Sequence, residues 1–131
     1  MTHVVVVGAG QAGLALVARL RADGFSGRIT LIGAEPHPPY QRPPLSKAYL
    51  LGEMPQERLY LRPESFYADQ GIDLRLGSPV AAIDTGRRVA VLETGAEIPY
   101  DELVLATGSA PRRLPAAIGG DLDGVFTMRD I

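Results

Sequence analysis

The first apolar stretch is a run of four valines, Val4 to Val7, closed by Gly8. A continuous apolar run of this length, bounded by glycine, reads as a strand buried on both faces. From Ala12 the spacing changes. Leu14, Leu16, Val17 and Leu20 make an apolar stripe at helical period, with Arg19, Arg21 and Asp23 opposite and Gly24 as the terminator. Arg28 to Ile32 predicts a second strand. Strand, glycine turn, helix and strand therefore fit within about 30 residues, the size of a βαβ unit.

Past Gly33 the chain is irregular and proline-rich through Pro44. Short helices are predicted over Ser46 to Leu51 and over Pro63 to Gln70, the latter with Pro63 in its first turn and Gly71 after its end. Ile72 to Leu76 predicts a third strand. Val80 to Ile83, Arg88 to Leu92 and Glu97 to Tyr100 are short segments divided by Asp84-Thr85-Gly86 and Thr94-Gly95, which predicts an antiparallel three-stranded meander. Leu103 to Ala106 reads as a buried strand entering Thr107-Gly108. Residues 109–124 read as a loop, and Val125 to Thr127 as a last strand. The fold class is α/β: a Rossmann-like domain with a parallel sheet and a meander where a plain Rossmann domain would continue with strand and helix.

The turn after the first strand reads Gly8-Ala9-Gly10-Gln11-Ala12-Gly13, a G-x-G-x-x-G between strand and helix. Gly8 suits a tight turn, Gly10 admits a pyrophosphate close to the backbone, and Gly13 permits tight helix–strand packing. Phosphates would meet the unpaired N–H groups and positive end of the helix at Gly10 to Ala12, Gln11 included. The alternative is a set of glycines serving only a packed turn. An acid beyond the second strand completes the fingerprint by taking ribose hydroxyls. Glu35 stands there, either in that role or as a solvated loop charge. An acid at this place suits an unphosphorylated ribose and does not separate FAD from NAD.

Composition narrows the field. The 131 residues carry a net charge of −2, which gives no electrostatic case for a nucleic-acid partner. No run of about 18 apolar residues is present to span a membrane. The opening Met1-Thr2-His3 leads directly into a strand, leaving no room for a signal peptide, and a cytoplasmic setting is the default expectation. With no cysteine there is no disulfide, thiolate metal site or thiol catalysis. His3 and His37 lack partners at metal-ligand spacing, so no metal site is predicted and both read as surface residues. The basic residues are twelve arginines and a single lysine, Lys47. That lysine is either a chance surface residue or an ammonium placed where guanidinium cannot serve. Arg112-Arg113 reads as a solvated pair, with attraction of an acidic protein as the alternative.

Two further stretches carry a resemblance. Leu103-Val104-Leu105-Ala106-Thr107-Gly108, arriving after a meander, resembles the second motif of flavoproteins with two dinucleotide-binding domains. Tyr40-Gln41-Arg42-Pro43-Pro44-Leu45-Ser46-Lys47 resembles the oxygenase-coupled, FAD-dependent NAD(P)H:ferredoxin reductases of the pyridine nucleotide-disulfide oxidoreductase superfamily. The likeness continues through Leu59-Tyr60-Leu61-Arg62, Tyr100-Asp101-Glu102-Leu103 and Met128-Arg129, and so covers the whole chain.

The resemblance implies FAD as cofactor, NAD(P)H as substrate of the complete enzyme and a ferredoxin-type iron–sulfur protein as partner. It places Lys47 beside the flavin ring as the catalytic candidate. Ala12 becomes a cofactor contact in the glycine loop, Val80 a backbone contact on the adenine side, and Arg129 a flavin-side contact. Ala106, Thr107 and Gly108 form the second cofactor turn. Arg42 either lies near the cofactor or holds a structural salt bridge. The family usually shows an acid where this sequence has Ala34, which moves the ribose role to Glu35. Where related disulfide reductases carry a redox cysteine pair, this chain has Pro-Pro-Leu-Ser-Lys, so electrons would leave the flavin directly for an outside acceptor.

Residues 1–108 are expected to form the first segment of an FAD-binding domain, incomplete at its C-terminal side. Residues 109–131 are expected to connect toward an absent NAD(P)-binding domain. On that reading the chain alone is catalytically incomplete and prone to self-association. Two rival readings stand beside it: a nucleotide-binding or interaction module without catalysis, and an ordinary NAD dehydrogenase domain. The meander, the Ala-Thr-Gly turn and Lys47 argue against the second.

Overall fold

The computed structural model describes residues 1–131. They sort into two compact units: residues 1–40 with 60–108, and residues 41–59 with 109–131.

In the first unit, β1 (His3–Val7), α1 (Gln11–Ala22) and β2 (Arg28–Ile32) form the expected βαβ unit. Further on come α2 (Ser65–Asp69), β3 (Ile72–Arg75), β4 (Val80–Asp84), β5 (Val89–Leu92), β6 (Glu97–Pro99) and β7 (Glu102–Leu105). One sheet has the order β3-β2-β1-β7, all parallel; the other is the antiparallel meander β4-β5-β6. The four valines explain why β1 lies in the middle. Val4 and Val6 join Leu14, Val17, Ile29, Leu31, Tyr67 and Ile72 in one core, while Val5 and Val7 join Ile32, Ala90, Leu92 and Ile98 in the other. Successive side chains of a strand point to opposite faces, so an all-valine strand suits a sheet covered on both sides. Each such side chain contributes on the order of 1.5–3 kcal/mol on burial.

Helix α1 stops where the glycine signal put it. Asp23 and Gly24 donate backbone N–H bonds to the carbonyls of Arg19 and Arg21, with Gly24 at φ +84°. The guanidinium of Arg21 then donates to the carbonyls of Phe25, Gly27, Gln70 and Gly71, tying the end of the helix to the loops before β2 and β3.

In the second unit, short 3₁₀ turns at Pro43–Ser46, Gln56–Leu59 and Ala116–Ile118 are the regular structure.

Four expectations need correction. The helix predicted over Ser46 to Leu51 is a 3₁₀ turn at Pro43–Ser46 followed by irregular turns up to Gly52. Pro43 and Pro44 begin the turn at no loss of N–H bonds, and a segment this short has too few bonds to sustain an α-helix. Val125 to Thr127 is not a strand, because no neighbouring strand pairs with it. The strand at Leu103 to Ala106 is found at Glu102–Leu105 but is only half-buried, with Leu105 63% exposed. It is the edge strand of its sheet, paired to β1 on one side alone. Finally, His3 is buried and not a surface residue. Its Nε2 lies 2.9 Å from Thr30 Oγ1 on the neighbouring strand, because parallel pairing sets these side chains on one face.

Candidate functional site

The three glycines of the loop separate by what lies around them. Gly8 adopts φ +120°, and a Cβ there would come within 2.0 Å of the Ala106 carbonyl oxygen. A Cβ on Gly13 would meet the Gly8 carbonyl oxygen at 2.0 Å. Internal packing accounts for both. Gly10 is different: a Cβ there would meet nothing within 4 Å. Nothing in the fold requires glycine at that position, whereas close approach of a ligand would.

The helix behind the loop has the matching character. Its N-cap, Gly10, offers no side-chain hydrogen bond, and the first turn holds no acidic residue. The first intrahelical bond runs from Leu14 N–H to the Gly10 carbonyl, so the N–H groups of Gln11, Ala12 and Gly13 precede any helical acceptor. Gln11 and Ala12 are exposed. An uncapped, solvent-facing helix start attracts an anion through its N–H groups and dipole.

The second motif meets the first. Ala106 N–H donates to the Val7 carbonyl at 2.8 Å, and the Ala106 carbonyl lies against Gly8. Thr107 and Gly108 follow it and are exposed, with Gly108 at φ +68°. The third part is Glu35. The Gly8 N–H donates to the Ile32 carbonyl at 2.8 Å, and a Cβ on Gly33 would come within 2.7 Å of the Ala9 Cβ, so the chain leaving β2 runs beside the glycine loop. Gly77 N–H binds the Glu35 carbonyl and Ser78 N–H the Gly33 carbonyl, which leads directly into Val80 at the start of β4. Glycine loop, Ala106 and Glu35 thus converge at the C-terminal ends of the parallel strands, where open α/β sheets bind ligands.

Arg42, Lys47 and Arg129 belong to the second unit. Arg42 Nη1 donates to the Arg129 carbonyl at 2.6 Å and lies 3.0 Å from Asp130 Oδ1, to which Arg129 Nη1 also donates at 2.7 Å. Of the two alternatives for Arg42, a salt bridge is present. Lys47 is exposed, its ammonium 3.3 Å from the Pro43 carbonyl of its own turn. Arg112 and Arg113 are exposed.

Three contributors have no role assigned to them by the sequence alone. Tyr40 donates its hydroxyl to Glu35 Oε2 at 2.6 Å across a proline-rich loop with no period to read. Asp130 sits between two arginines, one of them 88 residues distant along the chain. Gly33 looks like a loop glycine until its approach to Ala9 is seen.

A parallel βαβ unit with this loop, a meander and a second small-residue turn defines a dinucleotide-binding module of the flavoprotein type. The sequence signature of the pyridine nucleotide-disulphide oxidoreductase family matches residues 2–131, and the chain belongs to that family. It is 48% identical over 126 residues to rhodocoxin reductase of Rhodococcus erythropolis, covering 96% of this chain and 29% of the relative. The ferredoxin reductase for the CYP199A2 system of Rhodopseudomonas palustris superposes with a TM-score of 0.90 at 42% identity, over 99% of this chain and 32% of that one. The covalent putidaredoxin reductase–putidaredoxin complex matches with a TM-score of 0.85 at 47% identity, over 90% of this chain and 28% of that one. The chain therefore spans about 30% of the length of the proteins it resembles. None of its helices is long and apolar enough to cross a membrane.

Proposed function

We propose that these residues form the FAD-binding portion of an NAD(P)H-dependent ferredoxin reductase, acting in the cytoplasm. One observation carries most weight: Gly10 opens onto space beside an uncapped helix start, while Gly8 and Gly13 are explained by packing alone. The site fits a dinucleotide on geometry as well as on motif. In this reading the N–H groups of Gly10 to Ala12 bind the pyrophosphate, Gly8 and Gly13 hold loop and helix in register, and Glu35 accepts from the adenosine ribose. Val80 supplies a backbone contact on the adenine side, and Ala106, Thr107 and Gly108 let the chain pass close to the cofactor.

Roles for Lys47, Arg42 and Arg129 are supported by the likeness of the Pro-Pro-Leu-Ser-Lys and Met-Arg segments to the family, and not by distances. Lys47 would offer a compact ammonium to the flavin ring, favouring negative charge there. Arg42 and Arg129, linked through Asp130, would present one net positive charge on the flavin side. When bound, FAD supplies two-electron chemistry toward NAD(P)H and one-electron chemistry toward an iron–sulfur protein. No thiol among these 131 residues can relay electrons, which favours direct transfer to an acceptor such as a ferredoxin. The 131 residues alone are expected to be inactive. They are also expected to self-associate through the open edge of β7, where Leu105 is exposed, an outcome light scattering checks.

A visible spectrum of the purified protein tests the proposal. Flavin bands, retained or regained on adding FAD, are expected. A protein that takes up no FAD but does bind NAD would instead favour the dehydrogenase-type alternative.

A further inference from the structure

Resting on the assignment of Glu35 to the adenosine ribose, we infer that Tyr40 is a positioning residue, which fixes the Glu35 carboxylate before the nucleotide arrives. The two residues face each other across a loop that contains Pro36, Pro38 and Pro39. The Tyr40 hydroxyl donates to Glu35 Oε2 at 2.6 Å, the length of a charge-assisted O–H···O⁻ bond.

Both ends of this bond are anchored by backbone. On the Glu35 side, its carbonyl accepts from Gly77 N–H at 2.9 Å, and Gly33 two residues earlier is locked to Arg75 and Ser78. On the Tyr40 side, an antiparallel bridge pairs Tyr40 with Tyr60, and Leu61 N–H donates to the Pro39 carbonyl at 3.0 Å. Tyr40 is itself only 5% exposed, and the His37 ring meets it edge-on at 6.3 Å. A buried, bridged tyrosine is a rigid donor, whereas a glutamate on a loop is a side chain with many rotamers.

A carboxylate held in this way has already lost its rotamer freedom, so less is lost when a ribose binds. A carboxylate fixed in this place also repels a 2′-phosphate. Tyr40 thereby strengthens binding of unphosphorylated adenosine nucleotides through Glu35 without touching them.

Flavin-fluorescence titration of the full 131-residue chain with FAD tests this, using Tyr40→Phe, Glu35→Ala and the double variant. Tyr40→Phe keeps the buried ring and removes only the donor. It is expected to weaken FAD binding about three- to tenfold, the cost of ordering one rotamer-rich side chain on binding. In the Glu35→Ala background the same change should have no effect, a result that lost packing could not produce. Should Tyr40→Phe fold poorly, Tyr40→Leu, which also lacks the donor, is compared with and without Glu35 in the same way, and again only the background that keeps Glu35 should show a loss. Wild-type affinity in Tyr40→Phe, or an equal loss with and without Glu35, overturns the role of Tyr40 while leaving FAD binding intact. Failure of the wild-type chain to bind FAD overturns both proposals.

Discussion

The two units of this chain are held together by different means. The first, residues 1–40 with 60–108, rests on seven strands in two sheets, and its two cores contain most of the buried residues. The second, residues 41–59 with 109–131, has three short 3₁₀ turns, and Leu45 and Leu59 are its buried apolar residues. Leu114, Ile118, Leu122 and Phe126 stand exposed there, Phe126 at 89%. Where the first unit repeats a ladder, the second relies on single polar contacts such as the Arg42–Asp130–Arg129 clasp. A distributed core tolerates the loss of one contact, but not a backbone collision inside it. A segment held by single contacts shows the opposite sensitivities, and residues of this kind are where binding chemistry is commonly placed on a rigid scaffold.

The most severe way to break the first unit is Gly8→Ala. The methyl group would sit 2.0 Å from the Ala106 carbonyl oxygen on a backbone at φ +120°. We expect a loss on the order of 4 kcal/mol or more, seen as failure to fold cooperatively in thermal or urea unfolding. A variant that melts like the wild type would show that the join between the two motifs is slack.

Arg42→Ala probes the second unit. The hydrogen bonds from a half-buried guanidinium to the Arg129 carbonyl and to the exposed Asp130 carboxylate are lost, for a cost of about 1 kcal/mol after solvent screening. Limited proteolysis should show faster cleavage in residues 109–131, with melting of the strands little altered. Equal destabilisation of both units would erase the contrast drawn between them.

A gentler test uses pH. Burial, followed by the nearby Arg28 guanidinium, holds the His3 imidazole below its ordinary range. In the unfolded chain the ring takes up its proton near pH 6.5. A depressed folded value means that this stabilisation is fully present above about pH 6.5 and is lost as pH falls toward and through the folded value. Unfolding measured between pH 7.5 and pH 5 should show declining stability, and His3→Gln should flatten that part of the decline. Identical slopes for variant and wild type would mean that the ring is not buried neutral against Thr30.

The division between the units also governs what could be read in advance. Val4 to Val7, the Leu14–Val17–Leu20 stripe and the turn signals at Thr85-Gly86 and Thr94-Gly95 reflect periodic burial, and the corresponding elements lie within a residue or two of their expected places. Val125 to Thr127 has strand-forming residues but no neighbour, and pairing is a property of two segments. His3 was hidden because one histidine beside a valine run gives no hint of a threonine 27 residues away on the next strand. In the candidate site, the glycine loop, the Ala106 turn and Glu35 were legible because each is a local motif. Tyr40 and Asp130 were not, since each matters through a partner that proline-rich or irregular chain brings close.

The central claim is that Gly10 is glycine for the sake of a bound nucleotide and not for the fold. Flavin titration of wild type and Gly10→Ala, with melting temperatures measured in parallel, tests it most directly. At Gly10 the backbone is extended, at φ −100°, and space is open around it, so the alanine variant should melt within a degree or two of the wild type. It should also bind FAD more than about tenfold more weakly, because the methyl group lies where the pyrophosphate approaches. Unchanged FAD affinity in Gly10→Ala, or a collapse of the fold without any change specific to binding, would contradict the account.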